Sequence, residues 1–192
     1  YGFDKNGRQR YSHFNEYHKP QISLNHQWQI DYKSSLSTAL YMSIGRGSGY
    51  SGQGRTSADR NMWKGTNYGV LNTTFRNPDG TFAYDKIQEM NAASPDGSRM
   101  IMSKSNNNHM WYGLLSTYTN QISKSLELSA GIDVRYYIGE HNNEIIDLYD
   151  GKYFIDDSSR ANVKPEQNAA AADPNWVYEK LQVADTVYRD YD

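Results

Sequence analysis

The chain contains no cysteine among its 192 residues. That excludes thiol nucleophiles, disulfide staples and cysteine-based zinc sites, and leaves the redox compartment open. Long apolar runs are missing as well. Mean hydropathy is -0.88, and no stretch approaches the roughly 20 apolar residues of a membrane helix. Barrel strands are not excluded by this, because half of each such strand is polar. An excess of either charge is also absent: 20 Lys and Arg stand against 22 Asp and Glu, a formal net charge of -2. With no basic stripe, nothing electrostatic points to nucleic acid. Phe and Trp are scarce, at 5 and 4, whereas Tyr reaches 17. A ring with a hydrated hydroxyl suits membrane interfaces, strands and carbohydrate surfaces alike. Tyr1-Gly2-Phe3-Asp4 has neither the charged start nor the apolar core of a signal peptide. Together with the ending Tyr191-Asp192 it leads us to expect a processed product or a piece of something longer.

What is present is alternation. In residues 126–138, Leu126, Leu128, Ala130, Ile132, Val134, Tyr136 and Ile138 occupy one parity. The other parity carries Glu127, Asp133, Arg135 and Tyr137. Successive strand side chains point to opposite faces, so one face is apolar and the other charged. The run exceeds the usual soluble strand of about 5–6 residues and reaches the roughly 9–11 of a tilted transmembrane strand. Residues 21–30 and 36–44 alternate in the same way, with Ile22, Leu24, Leu40 and Met42 on the apolar side and His26 as a blemish. A short polar link between them makes a hairpin. In residues 109–122 two parities compete, and Tyr112, Leu114 and Tyr118 are preferred for the apolar face over Trp111, Leu115 and Thr119. The reading is all-β: an antiparallel transmembrane β-barrel segment of about four to five strands with long extracellular loops. Strands are expected near 20–31, 36–46, 109–122 and 126–139, with a further one within 180–189. Residues 1–19 read as a loop with a strand entering near Tyr17. Residues 46–108 and 139–179 read as long loops, the first holding a short helix around 82–92 and the second an alanine run at 169–172.

Few motifs carry chemistry. The glycines of residues 45–54 lack the Lys-Ser/Thr of a phosphate loop and read as a flexible loop root. Glu140, His141 and Glu144 lack zinc spacing. Asp147, Asp150, Asp156 and Asp157 do not follow a calcium-loop pattern. No catalytic residue, metal ligand or cofactor is assigned, and no enzyme activity is expected. Candidate lumen-facing residues are Tyr41, Glu127, Asp133, Arg135 and Tyr137, with Asp133 and Arg135 close enough on one strand to interact. Tyr50, Trp63, Tyr68, Phe75 and Tyr84 stock the first long loop. Such rings either pack the loop on itself or offer flat faces to a ligand or lid protein.

Three blocks carry a resemblance. Lys19-Pro20-Gln21-Ile22-Ser23-Leu24-Asn25-His26 with Tyr41-Met42-Ser43-Ile44-Gly45-Arg46-Gly47 resembles a barrel hairpin of Bacteroidetes-type TonB-dependent outer-membrane receptors. Asn107-Asn108-His109-Met110-Trp111-Tyr112-Gly113-Leu114-Leu115-Ser116 and Gly131-Ile132-Asp133-Val134-Arg135-Tyr136-Tyr137-Ile138-Gly139-Glu140-His141 are similar to later strands of the same group. The resemblance covers most of residues 17–155 and makes residues 1–192 a partial barrel of that family. It implies a single-chain barrel filled by an N-terminal plug and driven through TonB. Such a barrel imports a scarce ligand (glycan, peptide or metal chelate) across the outer membrane. The implied partners are outer-membrane lipid, the TonB complex through parts of a longer chain, and a surface lipoprotein lid. Two other readings stay open: a secreted all-β carbohydrate-binding module, and an outer-membrane adhesin or enzyme on a smaller barrel.

Overall fold

The structure, a computed structural model, describes residues 1–64, 73–156 and 178–191. It is mostly β, with a curled, half-barrel antiparallel sheet. In chain order the elements are β1 (Gly2–Phe3), β2 (Gln9–Arg10), β3 (His13–His18), β4 (Gln21–Gln29), β5 (Ser34–Gly54), α1 (Ser57–Lys64), β6 (Phe82–Ala83), α2 (Tyr84–Ala93), β7 (Met100–Ser123), β8 (Leu126–Asp147) and β9 (Thr186–Tyr191). The large sheet runs β3-β5-β7-β8-β9, with β4 also on β5, and a small sheet runs β2-β1-β6. β3 and β4 follow each other along the same strand, separated at Lys19-Pro20. Proline has no N–H for a ladder and is tolerated at such a strand start.

Three strands are longer than alternation suggests: β5 has 21 residues, β7 24 and β8 22. Residues 45–54 are therefore strand and not a flexible loop root. In β5 the extra residues escape the pattern because rings from elsewhere fill Gly45, Gly47 and Gly52. A Cβ on Gly45 would meet the His109 ring at 2.3 Å, and one on Gly52 would meet the Trp63 indole at 2.1 Å. The first long loop is likewise folded, with α1, β6 and α2 inside it. β9 starts later than expected, at Thr186, and Leu181 instead bridges Phe154. The alanine run at 169–172 lies outside the described residues.

The chain forms two compact units. Unit 1 comprises Tyr1–Glu16, Ser48–Asn106 and Asn142–Arg189, and it holds the buried cores. Trp63, Phe75, Phe82, Tyr84, Ile87, Met100, Met102 and Tyr149 form one cluster; Ile101, Ile145, Leu148, Phe154 and Leu181 form the other. Successive residues Met100, Ile101 and Met102 feed alternate clusters, as strand geometry requires. Burial pushes the phenol pKa values of Tyr84 and Tyr149 up, so both rings stay neutral. Helix α1 opens on a reciprocal cap. The Thr56 hydroxyl accepts from the Asp59 amide at 3.1 Å, and the Asp59 carboxylate accepts from the Thr56 amide at 3.3 Å.

Helix α2 buries Tyr84, Ile87, Gln88 and Asn91, the spacing of one helical face. Asn91 ties this helix to two strands. Its amide donates to Met100 O at 2.6 Å and Leu148 O at 3.0 Å, and its oxygen accepts from the Arg99 amide at 3.0 Å. Asn91→Ala would strand these backbone groups in the interior. We expect a loss of about 1–3 kcal/mol, measured by urea unfolding.

Asp4 organises the amino-terminal turn. Burial alone would raise its pKa, but the Arg8 amide, the Arg10 guanidinium and the Asn6 amide all donate to it and hold it below the usual range. The folded pKa is thus lower than the unfolded value of about 3.9. Its contribution to stability is fully present above that unfolded value and is lost as pH falls through the lower folded one. Asp4→Asn should remove this acid-limb slope from a stability–pH profile while leaving the neutral limb parallel to wild type.

Unit 2 comprises Tyr17–Gly47, Asn107–His141 and Asp190–Asp192. Strands β4 and β5 pair from Gln21↔Ser43 to Gln29↔Ser35, placing Ile22 beside Met42 and Leu24 beside Leu40. The link is tight because the Asp31 carboxylate accepts from the amides of Lys33 and Ser34 at 2.7 and 2.8 Å. Both buried clusters lie in unit 1. In unit 2 the apolar parity stays open: Ile22 is 61% exposed, Leu24 69%, Ile132 59% and Val134 58%. Among the described residues no second sheet closes over them.

Candidate functional site on the polar face of the sheet

The face opposite those apolar residues is built from β5, β7 and β8. Gly113 lacks a side chain where the Tyr41 ring passes, 2.0 Å from the position of a Cβ. That gap lets Tyr41 reach across the sheet, and Arg135 Nε donates to its hydroxyl at 3.3 Å. The Arg135 guanidinium also lies 5.1 Å from the Trp111 ring centre, and Lys19 Nζ lies 4.6 Å from the same ring. Two cations thus share one indole, the ring type that holds cations best. His109 stacks on Tyr137 at 6.4 Å and 27°. Trp111 Nε1 and His109 Nε2 are buried without hydrogen-bond partners. The cluster therefore presents positive charge, flat rings and unspent polar nitrogens.

The expected residues fall into place unequally. Tyr41, Arg135 and Tyr137 meet in this cluster. Asp133 shares the parity but forms no ion pair with Arg135 among the described residues; the arginine turns to Tyr41 and Trp111 instead. Glu127 is exposed and makes none of these contacts. Lys19, His109 and Trp111 are additions that sequence reasoning missed. Their signal was the parity of β7, which Thr38 and Ser116 define by a 2.9 Å hydroxyl pair and Tyr118 defines by its bond to Ser34 at 3.3 Å. Tyr112, Leu114 and Tyr118 accordingly share the face of Leu40 and Met42, which puts Trp111 and His109 on the polar one.

The aromatic residues proposed for ligand contact need correction. Trp63, Phe75 and Tyr84 are 2%, 6% and 0% exposed, so they build the unit 1 core. Tyr50 remains accessible. It stacks on Phe14 at 4.0 Å and donates to Glu16 at 3.0 Å. With Tyr11, Arg10 and Asp147 it lines a cleft of about 290 Å³, across which Arg10 and Asp147 pair at 3.2 Å. Tyr68 lies outside the described residues, as does Asp157. Asp147 also accepts from the Tyr149 amide, and Asp150 pairs with Lys5. His141 Nδ1 lies 2.8 Å from the Asn107 side-chain oxygen. Among the described residues no group of three His, Asp or Glu could hold a metal, and no helix is long and apolar enough to cross a membrane. No family model, curated protein or solved structure matches the chain.

Proposed function

We propose that the chain is a wall segment of an outer-membrane, TonB-driven active transporter, with the apolar parity of unit 2 against lipid and the polar parity toward an enclosed aqueous lumen. One observation carries the reading: a contiguous apolar face on long strands, open to the surroundings, backed by a polar face on the same strands. Monomeric soluble proteins rarely expose apolar patches beyond a few hundred Å². Lipid resolves that cost without a second sheet, and alternation of this kind is how barrel strands meet both media. A barrel needs at least about eight strands, so the remaining wall and the plug would come from other parts of a longer chain. On this reading Tyr41, Trp111, Arg135 and Tyr137 face the transport path, and the function is binding and translocation rather than catalysis. The cleft at the far end of β5, where Tyr50 is partly accessible beside Tyr11 and Phe14, is where a ligand or a surface lipoprotein would be met.

The test is fractionation. The chain, expressed within its full reading frame in an outer-membrane host, should stay with the outer-membrane fraction through high-salt and carbonate washes and be released only by detergent. Release by washing alone would overturn the reading in favour of a secreted all-β binding module.

A further inference from the structure

We propose that unit 1 carries a binding site for a small organic anion, an acidic oxyanion on a flat apolar body, in the cavity lined by Ser12, His13, Ser51, Trp63, Arg76 and Phe82. The cavity measures about 410 Å³, within the usual range of roughly 300–1,000 Å³ for small-molecule sites. Its lining is of two kinds. Trp63 and Phe82, 5.2 Å apart, supply aromatic surface. Arg76, His13 and the hydroxyls of Ser12 and Ser51 supply polar groups and the charge.

Arg76 gives the site its sign. Its guanidinium carbon lies 3.2 Å from the centre of the Phe82 ring, and the side chain is partly buried. Two other arginines of unit 1 pair with acids: Arg10 with Asp4 and Asp147, and Arg99 with Asp59. Arg76 has no such carboxylate among the described residues, and partial burial pulls its pKa below the ordinary arginine value, with only the Tyr84 phenol acting the other way. Removing a cation from water without a partner is costly. The fixed guanidinium fork fits a carboxylate or phosphate with two parallel hydrogen bonds. No acid lines the cavity, which leaves the Arg76 guanidinium free to pair with an anionic ligand. An anion seated there would meet the Arg76 guanidinium beside the Trp63 and Phe82 rings.

The site lies wholly in unit 1 and does not depend on the membrane reading of unit 2. It is tested by calorimetric titration of the full chain, held in detergent, with benzoate, phenyl phosphate and the neutral benzyl alcohol. At least one of the two anions should bind saturably, and roughly tenfold or more tighter than benzyl alcohol, as a charge-assisted pair demands. The preferred anion distinguishes a carboxylate ligand from a phosphate one. Arg76→Gln should erase that preference and Arg76→Lys should retain part of it. Should Arg76→Gln fail to fold, the wild-type comparison still decides. Equal affinity for the alcohol and both anions, or no saturable binding of either anion, would overturn the proposal.

Discussion

With the apolar face against lipid, as proposed, Ile132→Arg should cost about 2–4 kcal/mol of assembly free energy, the penalty for a cation near the bilayer midplane. Ile132 is more than half exposed and touches neither buried cluster. In water, a substitution at such a site would stay within about 0.5 kcal/mol. The large effect therefore arises from what surrounds the strand and not from its own packing. Ser129→Arg is the matched control, because its hydroxyl pairs with Thr119 on the opposite face at 3.1 Å, where a charge meets water. Urea titration of the full-length protein refolded into liposomes measures both variants. A large loss at Ile132 with little change at Ser129 is the expected result.

Trp63→Ala should destabilise unit 1 by about 3–5 kcal/mol, the range for deleting a buried large aromatic. The indole lies against Phe82 at 5.2 Å, Tyr84 at 5.6 Å and Tyr149 at 6.1 Å. None of these rings can close the void without leaving the others. Gly52→Ala should also be damaging, since its Cβ would enter the indole. The two changes should not add: in a Trp63→Ala background the new methyl finds space, and the second cost should largely vanish. Loss of near-ultraviolet circular dichroism with denaturant follows both variants and their combination.

How far this was legible in the sequence depends on what filled each face. β4 and the turn-proximal parts of β5, β7 and β8 were legible because lipid-like parity places apolar residues at every second position, as at Leu126, Leu128, Ile132 and Val134. The same strands became unreadable beyond Ile44 and Ile138, and before His109, where alternation fades, and in β5 Gly45 and Gly52 are filled by rings far away in sequence. Helix α2 showed through Ile87 and Met90, but the burial of Asn91 did not, because its partners are backbone groups on two distant strands. Helix α1 left only its Thr56–Asp59 cap as a local signal. At the polar face, Tyr41, Arg135 and Tyr137 followed from parity. His109 and Trp111 did not, since β7 carries apolar residues on both sides and only its pairing assigns the faces. Asp133 acts on Arg135 through its charge, whereas the arginine's hydrogen bond goes to Tyr41, because sequence spacing ignores a ring reaching across a glycine.

The absence of cysteine lets a single introduced thiol report which face of each strand meets lipid. Single substitutions Leu24→Cys, Leu40→Cys, Ile132→Cys and Val134→Cys sample the apolar face; Asn25→Cys, Ala39→Cys and Asp133→Cys sample the polar one. Each is labelled with an environment-sensitive fluorophore and reconstituted, within the full-length protein, into vesicles containing brominated lipid. Strong quenching and blue-shifted emission are expected at the first four positions, with neither at the other three. Equal quenching on both faces, or none on either, would contradict lipid contact on the apolar face.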